Sequence, residues 1–334
     1  MIITRAPFRI CLGGGGTDLP SFYEDHGGFV VSMAIDKHVY ICLKPNIVDH
    51  LLRLQYLKTE IVEDASQLLH TRARASLELH DLRNSVEIVS VADLPANSGM
   101  GSSAAYLISL LAAIRAFQRK SFDPHILASE ACHVEIDVLK EPVGKQDQFI
   151  SAYGGIRTLD ISKEGPVEVS HVNISNSSLS SFLSNLHIYH LGISRSASEI
   201  LSKQNTKDKD TQNRLLKIKS MGYEFLEAIE TENFDKYGLL MDDYWNIKKR
   251  LSSGVTVPIA DKIYEEVKNR FGVLGGKIIG AGGGGFLMLY APHKHSKLES
   301  FMEARGLPRL HYSTDYRGVK IISDAISSHD RVFK

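Results

Sequence analysis

The chain has 334 residues, 43% of them hydrophobic and 23% charged, which is typical of a globular protein with apolar mass for one large core or two smaller ones. Its 39 basic and 39 acidic residues cancel without forming long blocks, so composition argues against a nucleic-acid or membrane-surface partner. Three distant cysteines disfavour a disulfide framework, and no stretch approaches the roughly 18 apolar residues of a membrane span, so we expect a cytoplasmic enzyme.

The first half of the chain predicts a mixture of strands and helices. Four consecutive glycines stand before Thr17 and Asp18 in "LGGGGTDLP", which begins at residue 12. Strand-like runs then alternate with helical spacing. The runs are 38–45, 85–95 and 154–162, and the helical stretches are about 64–82, 103–118 and 124–140.

The second half is richer in helix. Helical spacing covers about 208–250 and 258–271, and strand-like groups follow at 275–292 and 318–323. The Ser-rich stretch 173–185 is the best candidate for a domain boundary, although it also fits a short surface helix. We therefore predict an α+β protein with two domains, 1–178 and 179–334.

A second Gly-rich segment, "DLPANSGMGSSAAYLISLLAAIRAF" (93–117), places a Gly/Ser loop between a strand and a helix. Free backbone N–H groups at a helix N-terminus favour a polyphosphate, and Gly99 and Gly101 permit close approach. The loop lacks the lysine of a Walker A motif, and Ser102 or Ser103 offers a hydroxyl to Mg²⁺. The simpler alternative is a serine-capped helix start.

A third Gly-rich segment, "KIIGAGGGGFLMLY" (277–290), lies between two apolar runs. Glycine costs roughly 0.5–1 kcal/mol in a helix or strand interior, so this segment predicts a turn. A flexible hairpin loop is one interpretation. The apolar runs at both ends favour a buried loop that approaches a ligand.

These three segments, in this order, resemble the GHMP kinase superfamily, which includes galactokinases and mevalonate kinases. The resemblance covers nearly the whole chain and implies a two-domain kinase fold with the active site in the cleft between the domains. "GGGGTDLP" with "GGFVVSMAIDKHVY" (27–40) looks most like the D-glycero-D-manno-heptose 7-phosphate kinases. Galactokinases have GEHTD where this chain has GGGTD.

The resemblance assigns ligands to the three segments. The second segment is similar to the family's ATP-phosphate loop, which implies ATP contacts at Pro95, Ser98, Gly99, Met100, Gly101, Ser102, Ser103 and Ala104. The first and third segments imply acceptor contacts at Gly14, Gly15, Gly16, Thr17, Asp18, Gly282, Gly283 and Gly284. A carboxylate such as that of Asp18 accepts hydrogen bonds from two sugar hydroxyls. The alternative for Thr17 and Asp18 is a helix N-cap.

The remaining catalytic residues are expected within "HVEIDVLKEPVGKQDQFISAYGG" (133–155). Its DQF resembles the galactokinase stretch in which the aspartate faces the hydroxyl to be phosphorylated, so Asp147 either accepts that proton or orients the hydroxyl. Arg9 and Lys145 are the expected positive groups beside it. Glu135, with Ser103, matches the family's Mg²⁺ site. Asp137 and Glu141 are its rivals, and a solvated helix end explains all three carboxylates.

A phosphorylated sugar needs a second anion site. In "LGISRSASEIL" (191–201), Arg195 and Ser196 precede an apolar helical run, although a capping box of Ser196 with Glu199 explains the same letters. Arg72, Arg74 and Lys37 are further basic candidates.

The resemblance predicts an ATP- and Mg²⁺-dependent kinase of heptose 7-phosphate, with a homodimer left open. An L-fucokinase or galactokinase would share the Gly-rich segments and the catalytic residues but not the second anion site. A mevalonate-type kinase lacks the GGGGTD theme. A sugar-sensing regulator without catalysis is disfavoured by Asp147, Glu135 and the GSS loop.

Overall fold

The structure is a computed structural model and describes residues 1–193, 197–252 and 254–327. The strands are β1 (Ile2–Gly13), β2 (Gly28–Pro45), β3 (Leu52–Gln55), β4 (Thr59–Val62), β5 (Val86–Ala92), β6 (Ile156–Ile161), β7 (Val167–His171), β8 (Leu186–His190), β9 (Gly275–Ile278), β10 (Phe286–Tyr290) and β11 (Lys320–Asp324). The helices are α1 (Pro20–His26), α2 (Thr71–Leu79), α3 (Ser102–Phe117), α4 (Pro124–Cys132), α5 (Gln146–Tyr153), α6 (Asn176–Asn185), α7 (Ala197–Gln204), α8 (Lys209–Glu230), α9 (Phe234–Lys248), α10 (Pro258–Phe271) and α11 (His295–Glu303).

The larger sheet has eight strands, with β1 between β11 and β2 and with β5, β3 and β4 continuing beyond β2. β6 pairs with the first half of β2, and β7 pairs with β6. β2 is long enough to pair with β6 along its first half and with β5 along its second half. Helix α3 packs on β1 and β2, with α2, α4 and α5 beside it. Its nearly continuous Ala/Leu sequence is therefore buried on almost every face.

The smaller sheet has the antiparallel order β8-β10-β9, and α9, α10 and α11 belong to the same half of the chain. The two halves share one large core, because Leu215 and Phe225 of α8 and Tyr237 of α9 join the cluster formed by β1 and β2. The last strand, β11, returns to pair with β1. The boundary near residue 178 stays a prediction, and the Ser-rich stretch there forms α6, capped by Ser175.

Most predicted elements are present with shifted ends. The helix predicted over 64–82 is shorter, since a 3₁₀ turn over Ala65–Gln67 precedes α2. The helical pattern over 124–140 divides into α4 and a π-helix, His133–Val138. Among the described residues, no helix combines the length and apolar character required to cross a bilayer.

Candidate active site

The second Gly-rich segment forms a tight turn before α3. Asn97, Gly99 and Gly101 all have positive φ angles, of 59°, 78° and 78°. Alternating left-handed residues of this kind turn backbone N–H groups toward a common point that suits an anion. Gly101 is the N-cap of α3 and no side chain caps the helix, so the serine-capping alternative is wrong. The first backbone N–H groups of α3 are therefore not taken up by a capping side chain, and this positive end of the helix lines the cleft.

Not every residue assigned to this loop lines the cleft. Gly99, Gly101, Ser102, Ser103 and Ala104 do. Ser98 and Met100 are buried behind the loop, and the backbone carbonyl of Met100 accepts a hydrogen bond from the Arg9 amide at 3.0 Å. Pro95 is exposed ahead of the turn.

Arg9 and Asp147 form a two-pronged ion pair at the base of the cleft. The Arg9 Nε lies 2.6 Å from Asp147 Oδ1, and its Nη2 lies 2.7 Å from Oδ2. The third guanidinium nitrogen, Nη1, donates to the Gly99 carbonyl at 2.6 Å. Burial alone would lower the pKa of Arg9, but the attraction of Asp147 outweighs it and raises that pKa. Arg9 thus fixes both the carboxylate and the loop.

The start of α3 lies directly beside this pair. A Cβ on Gly101 would lie 3.2 Å from Asp147 Oδ2 and 3.2 Å from Arg9 Cγ. The side chain of Asp147 nevertheless stays 26% exposed, so its oxygens remain accessible from the cleft. A hydroxyl positioned at Asp147 would therefore lie next to an anion bound at the helix N-terminus.

Glu135 projects from the π-helix into the other side of the cleft. Its Oε1 accepts from Arg72 Nε at 2.7 Å, and its Oε2 accepts from Gln148 Nε2 at 2.6 Å. Only 1% of Glu135 is exposed, and this burial raises its pKa although Arg72 opposes the shift. π-Helical turns are frequent at functional sites, and this one points a single carboxylate inward.

The rivals of Glu135 lie elsewhere. Asp137 is exposed and contacts His133 at 2.9 Å, whereas Glu141 lies 3.4 Å from Arg72 Nη2 and outside the cleft lining. Within the described ranges, no group of three or more His, Cys, Asp or Glu side chains is arranged to hold a metal. Mg²⁺ often takes only one or two protein oxygens and completes its shell with phosphates and water. Glu135, Ser102 and Ser103 all line the cleft, and their role as Mg²⁺ ligands stays a prediction.

The four-glycine run packs mainly against the protein itself. A Cβ on Gly14, whose φ is 77°, would come 2.0 Å from the Phe29 carbonyl oxygen, and one on Gly13 would come 2.6 Å from Phe225. Thr17 is fully buried, and its hydroxyl lies 2.8 Å from the Gly14 carbonyl and 2.9 Å from that of Phe29. Gly14 and Thr17 therefore hold β1 and β2 together and do not line the cleft, whereas Gly15 and Gly16 do.

Asp18 lines the cleft with little exposure. Its Oδ1 accepts from the Gly16 amide at 3.2 Å and its Oδ2 accepts from the Gln146 amide at 3.1 Å. Burial raises its pKa, and the charge of Asp147 adds to that shift. The helix-cap alternative is wrong, because α1 follows Leu19 and has no side-chain cap. A carboxylate with free lone pairs facing the cleft can accept hydroxyl hydrogen bonds.

The third Gly-rich segment packs against the second. A Cβ on Gly280 would lie 2.4 Å from the Gly99 carbonyl oxygen, and one on Gly285 would lie 2.4 Å from that of Ser98. Gly280 and Ala281 line the cleft. Gly282, Gly283 and Gly284 do not; Gly282 faces the Val255 carbonyl, the Gly283 amide donates to that same oxygen, and Gly284 faces the Ile193 carbonyl.

Lys145 is not brought to Asp147. Its Nζ donates to the Gly165 carbonyl at 2.5 Å and lies 4.7 Å from the centre of the Tyr23 ring, in a separate pocket. Arg195 and Ser196 lie outside the described residues. Of the further basic candidates, Arg72 lines the cleft, Arg74 contacts the Leu68 carbonyl, and Lys37 lies beside Asp36.

Sequence reasoning missed Lys248, which also lines the cleft. It follows Tyr237, Met241 and Tyr244 at helical spacing on the buried face of α9. A lysine in register with an apolar stripe was the signal that could have identified it.

Comparison with known proteins agrees with this geometry. Residues 60–155 match the GHMP kinases N terminal domain, and residues 225–304 match the GHMP kinases C terminal domain. The chain belongs to the GHMP kinase superfamily. Both halves of the family fold are therefore present, and the chain is a kinase of this group.

The individual relatives share little sequence identity with this chain. The chain is 24% identical to D-glycero-alpha-D-manno-heptose 7-phosphate kinase of Campylobacter jejuni, over 96% of this chain and 98% of that protein. It is 27% identical to the L-fucokinase/L-fucose-1-P guanylyltransferase of Bacteroides fragilis, over 86% of this chain but 34% of that longer protein. A solved structure of a D-glycero-D-manno-heptose 1-phosphate kinase from Bacteroides thetaiotaomicron superposes with a TM-score of 0.80 at 18% identity, covering 98% of this chain and 100% of that one.

Proposed function

We propose that this kinase transfers the γ-phosphoryl group of ATP to the anomeric C1 hydroxyl of D-glycero-D-manno-heptose 7-phosphate, giving the 1,7-bisphosphate for nucleotide-activated heptose synthesis. The arrangement of Asp147, held by two hydrogen bonds from Arg9 beside the N-terminus of α3, carries this proposal. It sets an acceptor for a hydroxyl proton next to a site for phosphates.

Phosphoryl transfer depends on positioning and on charge stabilisation, because its transition state is loose. In this proposal, the turn at Gly99 and Gly101 and the first residues of α3 hold the ATP phosphates. Asp147 accepts the C1 hydroxyl proton or orients that hydroxyl. Arg9 keeps Asp147 in place, since a two-pronged contact fixes the plane of the carboxylate. Glu135 and Ser103 would hold Mg²⁺, which neutralises phosphate charge.

The acceptor side of the proposal rests on the first Gly-rich segment. Asp18, oriented by the Gly16 and Gln146 amides, would accept hydrogen bonds from ring hydroxyls, while Gly15 and Gly16 allow the sugar to approach. The choice of heptose 7-phosphate is supported by the GGGGTDLP motif and by the full-length match to the Campylobacter kinase. Arg195 and Ser196 stay the predicted contacts of the distal phosphate.

A fucokinase-type activity is the second candidate, and the 27% identity to the Bacteroides fragilis protein favours it. Both activities phosphorylate an anomeric hydroxyl, so Arg9, Asp147 and Asp18 would serve either one. They differ in whether the acceptor carries a phosphate.

ATP consumption with a panel of acceptors tests the proposal. The panel contains heptose 7-phosphate, free heptose, fucose, galactose, mannose and mevalonate. We expect the highest kcat/KM with heptose 7-phosphate and a product phosphorylated at C1 by ³¹P NMR. A higher kcat/KM with free sugar would replace this proposal with a free-sugar kinase, and turnover of mevalonate alone would remove the sugar-kinase assignment.

A further inference from the structure

Lys248, the last residue of α9, is a buried lysine without a carboxylate partner among the described residues. It is 6% exposed, and its Nζ donates to the Gly280 carbonyl at 2.6 Å. It also lies 5.6 Å from the centre of the Tyr244 ring. A buried ammonium is expensive unless an opposite charge compensates it, so a lysine in this position favours an anionic ligand.

A second lysine adds to the unbalanced positive charge. Lys277 of β9 is 1% exposed, and its Nζ has no hydrogen-bond partner in the described part of the chain. It lies 4.6 Å from the centre of the same Tyr244 ring. Tyr244 in turn donates to the Gly15 carbonyl at 3.3 Å, which connects both lysines to the lining of the cleft.

The surroundings of Lys248 lower the proton affinity of its amino group. Burial first, and then the charge of Lys277, lower its pKa to about 7. Arg9 acts in the same direction, whereas Cys11 and Asp18 oppose it. A dianion in the cleft would reverse this effect and favour the ammonium form.

Lys248 lies where the second and third Gly-rich segments meet. Gly280, the carbonyl partner of Lys248, packs directly on Gly99 of the phosphate loop, and the Gly99 carbonyl accepts from Arg9 Nη1 at 2.6 Å. Lys248 and Arg9 therefore reach the same junction of the two Gly-rich loops from opposite halves of the chain. Both side chains line the cleft together with Asp147 and Ser103.

We propose that Lys248 is a catalytic residue whose ammonium binds the γ-phosphoryl group of ATP during its transfer. In that step the acceptor oxygen forms a bond to the γ-phosphorus while the bond from that phosphorus to the bridging oxygen breaks. ADP leaves with the bridging oxygen and its electron pair, and the acceptor proton moves toward Asp147. Lys248 forms no covalent bond; it balances charge on the oxygens of the transferred group. The inference rests on the proposed ATP reaction, but it does not depend on which sugar is phosphorylated.

Nucleotide binding without any sugar tests this proposal. Affinities for ADP and for the non-hydrolysable ATP analogue AMP-PNP would be measured by calorimetry with Mg²⁺ for the parent, Lys248→Met and Lys248→Gln. Lys249→Met is the matched control, because Lys249 is adjacent on the chain and more exposed, near Asp261. We expect Lys248→Met to lose about 10- to 100-fold in AMP-PNP affinity, as for a lost charge-assisted contact, with ADP affinity within about threefold of the parent.

Lys248→Gln distinguishes an electrostatic role of Lys248 from a purely structural one. Its amide can still donate to the Gly280 carbonyl, so a purely structural role predicts that Lys248→Gln binds AMP-PNP normally. We expect it to be as defective as Lys248→Met. At pH 8, above the pKa of Lys248 in the free protein, the parent should take up more protons on binding AMP-PNP than on binding ADP. Calorimetry in buffers of different ionisation enthalpy measures that uptake.

Several outcomes would overturn the proposal. Unchanged AMP-PNP affinity in Lys248→Met would contradict it, and so would a loss of ADP affinity equal to the loss of AMP-PNP affinity. If neither variant folds, equal proton uptake by the parent for the two nucleotides is the deciding negative result. Failure of heptose 7-phosphate as a substrate would leave these measurements unaffected, so the two proposals fail independently.

Discussion

Two arginine–carboxylate pairs lie in the same cleft and differ in what they leave accessible. Arg9 donates a hydrogen bond to each carboxylate oxygen of Asp147, yet the Asp147 side chain stays 26% exposed. Arg72 contacts one oxygen of Glu135 while Gln148 occupies the other, and Glu135 is 1% exposed. The carboxylate of the first pair is therefore accessible from the cleft. For the second pair, we propose that Mg²⁺ binds Glu135 by taking the place of Arg72 or Gln148.

The difference follows from the elements that carry the carboxylates. Asp147 is in the first turn of α5 and faces the start of α3 across Gly101. Glu135 is inside a π-helix packed near α2, which supplies Arg72. Each carboxylate keeps acceptor capacity beyond the hydrogen bonds that it receives, so the two differ in exposure to the cleft and not in how fully their oxygens are engaged.

The largest effect is expected from Asp147→Asn. Removing a positioned carboxylate should lower kcat by roughly 10²–10⁴, because the amide cannot accept the hydroxyl proton. ADP affinity should change little, since Arg9 Nη1 would still donate to the Gly99 carbonyl in the proposed phosphate loop. Steady-state kinetics with a calorimetric ADP titration measure both quantities, and near-parental turnover in a folded variant would remove Asp147 from the mechanism.

The second pair is tested by Glu135→Gln. An amide oxygen is a weaker ligand than a carboxylate for a hard dication, so the Mg²⁺ concentration for half-maximal rate should rise by about 10- to 100-fold. Asp137→Asn is the matched control, because Asp137 is two residues away and exposed. A metal defect in the control but not in Glu135→Gln would transfer the assignment to Asp137.

A smaller effect is expected from Arg72→Met, which leaves Glu135 buried without its guanidinium partner. The free energy of unfolding in EDTA should fall by about 1–3 kcal/mol, the cost of an unsatisfied buried acceptor. Mg²⁺ should restore more stability to this variant than to the parent, since the cation replaces the lost charge. Urea denaturation in EDTA and in Mg²⁺ measures both free energies of unfolding, with Arg74→Met as the control on the same helix. Equal stabilisation of variant and parent by Mg²⁺ would contradict the replacement of Arg72 by the cation at Glu135.

The smallest effect is expected from Lys145→Met. Lys145 is two residues from Asp147, but its Nζ contacts the Gly165 carbonyl in the separate pocket. We expect kcat to stay within about threefold of the parent, because losing a contact outside the cleft leaves Arg9 and Asp147 in place. A loss comparable with that of Asp147→Asn would show that Lys145 moves into the cleft during turnover.

The sequence predicted the fold class and brought the main residues of the cleft to attention. Arg9, Asp147, Asp18, Glu135 and the loop before α3 could be proposed because each belongs to a short motif with a recognisable neighbour. These residues do converge in space. Their detailed roles stay predictions until variants are measured.

What the sequence could not supply was side-chain direction and contact between distant segments. Lys145 turns away because the loop between β6 and β7 places the Gly165 carbonyl within its reach. Gly14 serves the contact with Phe29, which no local pattern indicates. Lys248 was overlooked because a lysine within a long helix is ordinarily exposed. Its neighbours across the cleft, such as Asp147 and Arg9, are also distant from it in the chain.

The pairing of β11 with β1 has a consequence for biosynthesis. Ile2 lies opposite Asp324, so one edge of β1 is covered only by a strand that is synthesised about three hundred residues after it. During that interval, the outer edge of β1 presents unpaired backbone groups that can template association with other nascent chains. Co-translational folding of this protein should therefore depend on chaperones that shield β1 more than on those that act on the later helices.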